Sequence, residues 1–240
     1  MAHCYLSPDV ADRHVGDDVV LSEQESHHAI VARARVGEQV WLTSGEGTLA
    51  KAEVTAVERK SVALSVLSTR HFDQPATRIT LVQALAKGDR SDIAITAATE
   101  LGVDAVIPWQ AARSVVQWRG DKAVKGVERW RSAVTEAAKQ SIRPRIPLVH
   151  PLMSTAEIAG LQATLVVLHP DADKGFESIP VKRDLAFIVG PEGGIAPNEL
   201  ERFAQAGAHT VHMGPEVLRT STAGLASIAA VSMMLGRWRG

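Results

Sequence analysis

The chain has 240 residues, 45% of them hydrophobic, so it can bury one or two cores, and its apolar runs all fall short of the roughly 18 residues that a membrane span needs. The beginning of the chain lacks a basic region followed by a long apolar stretch, and the single cysteine, Cys4, cannot form an internal disulfide. We therefore expect a soluble protein of the reducing cytoplasm, with no structural zinc site.

The net charge is −1, but the charges are distributed unevenly. Residues 73–150 hold twelve Lys/Arg against eight Asp/Glu, and within them Arg113 to Arg145 holds nine basic residues against Asp121, Glu128 and Glu136. A local basic surface on a neutral protein fits an RNA ligand bound at one face. A solvated helix face fits the same count, and charge alone does not separate the two.

Residues 1 to about 70 contain short alternating runs of apolar and polar residues, separated by turn residues such as Gly37-Glu38 and Ser44–Gly47. The predicted strands are Val19–Leu21, Gln39–Thr43, Ala50–Val57 and Ser61–Leu67, and Ser26–Arg35 is a predicted helix. Short strands at this spacing predict a small, mostly β domain, either a barrel or a sandwich.

After a break over residues 70–78, predicted strands alternate with predicted helices. The strands are Ile79–Ala84, Val103–Ile107, Thr164–Leu168, Leu185–Val189 and Thr210–Met213, and the helices are Ser91–Leu101, Asp121–Ser141, Leu200–Ala206 and Ala223–Leu235. The helix Asp121–Ser141 is predicted to be amphipathic, with an apolar stripe of Val124, Val127, Trp130, Val134 and Ala137. The alternation predicts an α/β domain with a mostly parallel sheet.

Two Gly-Pro turns follow two successive apolar strands of this region. The first, Gly190–Gly194, reads Gly-Pro-Glu-Gly-Gly, and the second begins the stretch Gly214–Gly224, which reads Gly-Pro-Glu-Val-Leu-Arg-Thr-Ser-Thr-Ala-Gly. Neither has the spacing of a phosphate-binding or dinucleotide-binding loop. Each alone fits an ordinary strand-to-helix turn, but together they lie at the sheet edge where α/β proteins bind ligands.

The stretch from Gly190 to Ile228, which contains both turns, resembles the cofactor half of the RsmE family, SPOUT-class enzymes that methylate uridine N3 in small-subunit (16S) ribosomal RNA. The resemblance extends upstream to Ala86–Arg90, Ala98–Val103, Arg113–Val116 and Glu136–Ser141, and it covers nearly the whole chain. It implies a PUA-like β-barrel RNA-binding domain over residues 1–72 and a SPOUT methyltransferase domain with a trefoil knot over residues 73–240. It also implies a homodimer.

The resemblance further implies an S-adenosylmethionine site formed by three loops, after Leu168, Val189 and Met213. The expected cofactor-binding residues are Leu168, His169, Gly190, Pro191, Glu192, Gly193, Met213, Gly214, Leu218, Thr220, Ser221 and Ala223. Methyl transfer from a sulfonium requires no metal, and His27, His28 and His169 have no metal-ligand spacing with Cys4 or one another. No metal site is predicted.

Arg219 is the expected catalytic residue, since it matches the arginine of the family's Leu-Arg-Thr pattern. Attack by uracil N3 requires loss of the imide proton, and a guanidinium with two parallel donors suits the resulting anion. The proton acceptor is left open between bulk water and a carboxylate such as Glu192.

Five basic residues are candidate RNA contacts: Lys87, Arg90, Arg113, Arg143 and Arg145. Trp109 and Trp118 are either stacking surfaces for RNA bases or core residues.

The chain departs from the family pattern at three positions. Glu216 stands where a basic residue is common, Ser221 where a glutamate is common, and Ile142 where a small residue is common. Two alternatives therefore stay open: a methyltransferase of the same fold that acts on another nucleotide, and a non-catalytic RNA-binding assembly factor.

Overall fold

A curled five-stranded sheet forms the centre of the N-terminal unit in the computed structural model, which describes residues 3–181 and 183–238. Its strands are β1 (Cys4–Leu6), β2 (Asp18–Val20), β3 (Gln39–Thr43), β4 (Thr48–Val57) and β5 (Val62–His71). They are arranged in the order β1-β3-β4-β5-β2; β1 pairs with β3 in parallel, whereas β3–β4, β4–β5 and β5–β2 pair antiparallel. This confirms the predicted small, mostly β domain.

Successive side chains along each strand point to opposite faces of the sheet, and those on the inner face form the core. In β5, the side chains of Val62, Leu64 and Val66 are buried, whereas the residues between them are half-buried. One helix, α1 (Glu23–Val31), packs against β5, and the Ser22 side chain caps it by accepting a hydrogen bond from the Glu25 N–H at 3.2 Å. The helix begins three residues before the predicted Ser26 because this cap fixes its start.

The C-terminal unit contains a six-stranded, fully parallel sheet. Its strands are β6 (Ile79–Ala84), β7 (Ala105–Trp109), β8 (Leu148–Val149), β9 (Thr164–Leu168), β10 (Leu185–Val189) and β11 (His209–Val211), in the order β11-β9-β10-β6-β7-β8. Its helices are α2 (Arg90–Glu100), α3 (Asp121–Gln140), α4 (Thr155–Ala159), α5 (Pro197–Gln205) and α6 (Ala223–Met234). The predicted parallel α/β sheet is confirmed.

Helices cover both faces of this sheet. Val82 of β6 and Ile188 of β10 form a core cluster with Ile158 of α4 and Phe203 of α5. The alternate residues of the same strands face α2 and α6, and Gly224 brings α6 so close that a Cβ there would lie 2.6 Å from Leu81 Cδ1. The chain thus returns from the edge strand β11 to the centre of the sheet through α6.

Helix α3 has the predicted bounds to within one residue, but its apolar stripe is shorter than predicted. Val127, Trp130 and Val134 are buried, whereas Val124 is exposed. Trp118 packs edge-on against Trp130, and a Cβ at Gly126 would lie 2.7 Å from the Trp118 ring.

The chain divides into two compact units. The N-terminal unit runs to Pro75 and also includes Thr135–Ile146, and the C-terminal unit consists of Ala76–Val134 and the chain from Pro147 onward. The division therefore falls inside α3. No helix in the described ranges is long and apolar enough to cross a membrane.

Candidate functional site

The strand register places three loop starts at one edge of the parallel sheet. Val189 of β10 pairs with Leu168 of β9 on one side and with Gln83 of β6 on the other, and Leu168 pairs with Val211 of β11. Free backbone groups of the following loops therefore meet above the same edge. They enclose a cavity of about 510 Å³.

The cavity walls combine apolar and charged side chains. Its lining residues are Arg90, Arg113, Leu168, His169, Pro170, Asp171, Val189, Gly190, Pro191, Glu192, Gly194, Ile195, Val217, Leu218, Arg219, Thr220 and Ala223. A smaller cavity of about 50 Å³ adjoins it, lined by residues that include Leu168, His169, Met213, Gly214 and Leu218. This volume and mixed lining suit a ligand with an apolar ring and a few polar groups.

The loop after β10 is built on glycine. A Cβ at Gly190 would lie 2.6 Å from Ile195 Cγ1, so the close return of the loop requires glycine there. Gly194 has a φ of 73° and donates its N–H to the Pro191 carbonyl at 2.9 Å. These contacts hold the backbone of the loop against the sheet edge.

The loop after β11 ends at the start of α6. The Arg219 carbonyl accepts hydrogen bonds from the N–H groups of Thr222 and Ala223, both at 2.9 Å. The side chains of Val217 and Arg219 are exposed, whereas Thr220 is buried. The backbone contacts at the start of α6 therefore fix the position of Arg219 at the cavity.

Three guanidinium groups line the cavity, and they differ in their partners. Arg90 Nη1 lies 2.7 Å from Glu192 Oε1, and Arg113 Nη1 donates to the Gly193 carbonyl at 3.2 Å. The Arg219 guanidinium has no hydrogen-bond or ion-pair partner among the residues that the structure describes. Arg219 is therefore available to an anionic ligand.

Glu192 links this cavity to the start of α2. Its carboxylate also accepts a hydrogen bond from the Lys87 N–H at 3.1 Å. Partial burial acts to raise the pKa of Glu192, but hydrogen bonds from its own N–H, from Arg90 and from Lys87 outweigh burial and lower that pKa. Glu192 is thus a stable anion and a weak base.

Most of the predicted cofactor residues are brought together. Eight line the larger cavity: Leu168, His169, Gly190, Pro191, Glu192, Leu218, Thr220 and Ala223. Met213 and Gly214 line the smaller one. Gly193 and Ser221 line neither cavity, and a Cβ at Gly193 would face Arg113 Cβ at 3.2 Å.

The predicted RNA contacts are divided between the two units. Arg90 and Arg113 line the cavity, and Lys87 is exposed beside Glu192. Arg143 and Arg145 belong to the N-terminal unit, where Arg145 Nη2 donates to the Phe72 carbonyl at 2.7 Å.

Both tryptophans that the sequence offered as stacking surfaces are core residues. Trp109 is fully buried, with its Nε1 donating to Thr155 Oγ1 at 3.1 Å, and Trp118 is buried against Trp130. Neither ring is available to an RNA base.

Two polar residues at the site, Asp171 and Gln83, are absent from the sequence prediction. Asp171 lines the cavity two residues after His169, and its N–H donates to His169 Nδ1 at 3.2 Å. Gln83 is fully buried under the loops and donates to Thr220 Oγ1 at 2.9 Å. A single glutamine inside the apolar strand Ile79–Ala84 is the sequence signal that points to it, because buried polar groups require partners.

A cluster of possible metal ligands lies in the N-terminal unit, where none was predicted. Ligand atoms of Glu25, His28 and Glu136 lie within 4.8 Å of one another. Lys139 Nζ is 2.8 Å from a carboxylate oxygen of each glutamate and 3.5 Å from His28 Nδ1. The ammonium already supplies the positive charge that the two carboxylates need, so we assign no metal to this cluster.

Family models match both units of the chain. Residues 73–232 match the RNA methyltransferase domain, and residues 21–67 match the RNA methyltransferase PUA domain. The first match spans two thirds of the chain and contains every residue that lines the cavity.

Curated relatives and solved structures agree with these matches. The chain is 43% identical over 231 residues to the ribosomal RNA small subunit methyltransferase E of Mycobacterium bovis, covering 92% of this chain and 87% of that one. It is 33% identical to the protein of that name from Bacillus subtilis, covering 92% and 91%. A crystal structure of the Neisseria gonorrhoeae protein of that name, bound to S-adenosylmethionine, is 30% identical, covers 98% of both chains and superposes with a TM-score of 0.89. The chain therefore belongs to the ribosomal RNA small subunit methyltransferase E family.

Proposed function

We propose that this protein transfers a methyl group from S-adenosylmethionine to N3 of a uridine in small-subunit ribosomal RNA. The observation that carries the proposal is the cavity at the carboxyl edge of the parallel sheet. Its wall contains Arg219, whose guanidinium has no partner within residues 3–181 and 183–238. Family membership supports the reaction class, and the resemblance of the Leu218-Arg219-Thr220 loop supports the uridine N3 target. A ribosomal RNA substrate would place the activity in the cytoplasm.

The cavity fits the proposed cofactor in size and chemistry. A volume of about 510 Å³ lies within the range of small-molecule sites. Leu168, Leu218 and Ala223 offer apolar contact to an adenine, and the loop backbone after β10 and β11 offers N–H and C=O groups to its edge. S-adenosylmethionine, when bound, supplies a methyl group on a positively charged sulfur.

Arg219 would stabilise the uracil anion that forms when N3 loses its proton. Arg90 and Arg113 are engaged with Glu192 and the Gly193 carbonyl, whereas Arg219 is engaged with none of the side chains that the structure describes. A guanidinium stays protonated throughout the relevant pH range, so it acts as an electrostatic stabiliser rather than as a base. The remaining task of the protein is to hold the two reactants in line and exclude water.

The electrostatics make Glu192 a weak acceptor for the N3 proton. Of the two candidates from the sequence, Glu192 has a lowered pKa and is bound to Arg90. A carboxylate in that state accepts a proton poorly near neutral pH.

The second part of the proposal is a homodimer through α6 and its surroundings. Ile228 and Val231 of α6 are buried within the unit, whereas Met233, Met234 and Trp238 are exposed by about half. These two methionines and the indole, close together in sequence, offer exposed apolar surface to a second copy of the chain. Light scattering at micromolar concentration is expected to give twice the monomer mass, and a monomeric mass with full activity would contradict this part.

Nucleoside mass spectrometry of small-subunit ribosomal RNA from cells that lack the protein tests the proposed reaction. We expect 3-methyluridine to disappear and to return on complementation with the wild-type chain. Loss of a different methylated nucleoside would instead identify a methyltransferase with another target. An unchanged methylation pattern with defective subunit assembly would identify a non-catalytic assembly factor.

A further inference from the structure

A buried glutamine joins two of the loops that form the cavity. Gln83 lies in the central strand β6, its side chain is fully buried, and it does not line the cavity. Its Nε2 donates one hydrogen bond to Thr220 Oγ1 at 2.9 Å and another to the Ala84 carbonyl at 3.2 Å. Both N–H groups of the amide are therefore used.

The Thr220 hydroxyl continues this chain of hydrogen bonds. It donates to the Gly190 carbonyl at 2.8 Å, and because it has one proton it must act as the acceptor toward Gln83. A flipped amide would place Gln83 Oε1 at 3.2 Å from the Ala84 carbonyl, which pairs two acceptors. The network thus sets one orientation, at the cost of leaving Oε1 unpaired within the described residues.

The two ends of this chain belong to different loops. Gly190 begins the loop after β10, and Thr220 lies at the end of the loop after β11, next to Arg219. The strand β6 that carries Gln83 is part of the rigid sheet, so its amide provides a fixed reference for both loops. Buried hydrogen bonds of this kind hold a site in its binding geometry before the ligand arrives.

We propose that Gln83 is a positioning residue for cofactor binding and does not itself contact the ligand. It acts through the Thr220 hydroxyl, which ties the loop that begins at Gly190 to the loop that contains Arg219. The proposal rests on the proposed function, because it takes S-adenosylmethionine as the ligand. It predicts that Gln83 and Thr220 act as one unit in cofactor binding, although Gln83 lies outside the cavity wall.

Calorimetric titration of S-adenosylmethionine into the full chain tests the proposal. Gln83→Met and Thr220→Val should each raise the dissociation constant about tenfold, the typical effect of one buried hydrogen bond. The double variant should bind no more weakly than the weaker single variant, since both substitutions break the same chain. Thr220→Ser keeps the hydroxyl and should retain more affinity than Thr220→Val.

Two matched substitutions report on stability alone. Gln110→Met removes an amide that accepts a hydrogen bond from the Trp118 N–H at 2.7 Å, and Thr99→Val removes a buried hydroxyl within α2; neither residue lines the cavity. Both controls should keep the wild-type dissociation constant. In steady-state assays, Gln83→Met should raise the KM for S-adenosylmethionine and keep turnover at saturation, a separation that general destabilisation does not produce.

Unchanged affinity in Gln83→Met and Thr220→Val, or additive losses in the double variant, would overturn the proposal. If Gln83→Met fails to fold, Gln83→Leu takes its place beside Thr220→Val, and an unchanged affinity or additive losses would again overturn the proposal. Absence of binding by the wild type would instead show that the proposed function itself has failed.

Discussion

Glu199 is 4% exposed, and its carboxylate accepts a hydrogen bond from the Ala112 N–H at 2.9 Å. The same side chain accepts from Thr155 Oγ1 at 2.8 Å and from the Ala196 N–H at 3.1 Å. It therefore joins the starts of α4 and α5 to the loop that carries Arg113 into the cavity wall.

Glu199→Gln is expected to lower the free energy of unfolding by about 1–3 kcal/mol. The substitution keeps the shape but places an amide NH₂ opposite one of three donors, so one buried donor loses its acceptor. Denaturant titration measures the change. Glu201→Gln, exposed on the same helix, is the control and should unfold like the wild type; an equal loss in both variants would contradict a specific role for Glu199.

Ile142 ends α3 in a conformation that favours glycine. Its φ is 52°, its N–H donates to the Lys139 carbonyl, and the Arg143 N–H donates to the Ala138 carbonyl, a Schellman motif. A β-branched residue is strained in this region, so Ile142→Gly should raise the free energy of unfolding by about 1 kcal/mol. Ile93→Gly, inside α2, should lower it by about 1 kcal/mol. A loss of stability in Ile142→Gly would show that the side-chain contacts of Ile142 outweigh the strain.

Lys139 and Glu25 form a buried ion pair in the N-terminal unit, with side chains 6% and 7% exposed and 2.8 Å between Nζ and Oε1. Lys139→Met should lower the free energy of unfolding by about 3–5 kcal/mol, because it removes the ammonium that compensates the buried Glu25 charge. Adding Glu25→Gln removes that charge and should restore part of the loss. Chemical denaturation of the two variants measures both effects. A double variant with a lower free energy of unfolding than Lys139→Met would contradict this account.

Alkaline pH is expected to destabilise the N-terminal unit. Burial raises the pKa of Cys4 from 9.0 to about 12 and that of Tyr5 from 10.0 to about 12. Burial acts to lower the pKa of Lys139, but hydrogen bonds with Glu136 and Glu25 outweigh it and raise that pKa. The folded state therefore binds more protons than the unfolded state above about pH 9, and stability falls as pH rises.

The measurement is the free energy of unfolding from pH 8 upward, compared with that of Cys4→Ala. The variant lacks the thiol, so its stability should fall less steeply between about pH 9 and 11. Equal slopes for the two proteins would show that the Cys4 thiol does not contribute.

The local pattern of apolar and polar residues predicts the strands that position the site, because a short apolar run between turn residues fits a buried strand better than a helix. Gln39–Thr43, Ile79–Ala84, Thr164–Leu168 and Leu185–Val189 have the predicted bounds. β1 has three residues and gains its pairing from β3, a contact 37 residues away in sequence, so no local signal marks it. α4 is missed although Ser154 and Glu157 form a capping box, a signal that the sequence does contain.

The residues of the site likewise fall into those that local sequence predicts and those that it does not. Residues that line the cavity through loop position, such as Gly190 and Leu218, follow from the motifs. Gln83 and Glu199 act through hydrogen bonds to residues 137 and 87 positions away, and these pairings exist only after the sheet has formed. Sequence reasoning therefore finds the wall of the cavity and misses the buried groups that hold it in place.

Arg219→Lys is expected to impair the chemical step more than cofactor binding. Lysine keeps the positive charge but loses the planar pair of donors that matches the uracil anion, and loss of one such interaction typically costs about a hundredfold to a thousandfold in turnover. Calorimetry should show near-normal S-adenosylmethionine affinity, while turnover on ribosomal RNA falls by about that factor. Arg202→Lys, exposed on α5 and outside the cavity wall, is the matched control and should keep full turnover. Raising the pH should partly restore the Arg219→Lys rate, because more of the imide is then ionised without help from the protein. A collapse of cofactor affinity with normal turnover at saturation would instead make Arg219 a residue that orders the loop before α6, and the anion would need another stabilising group.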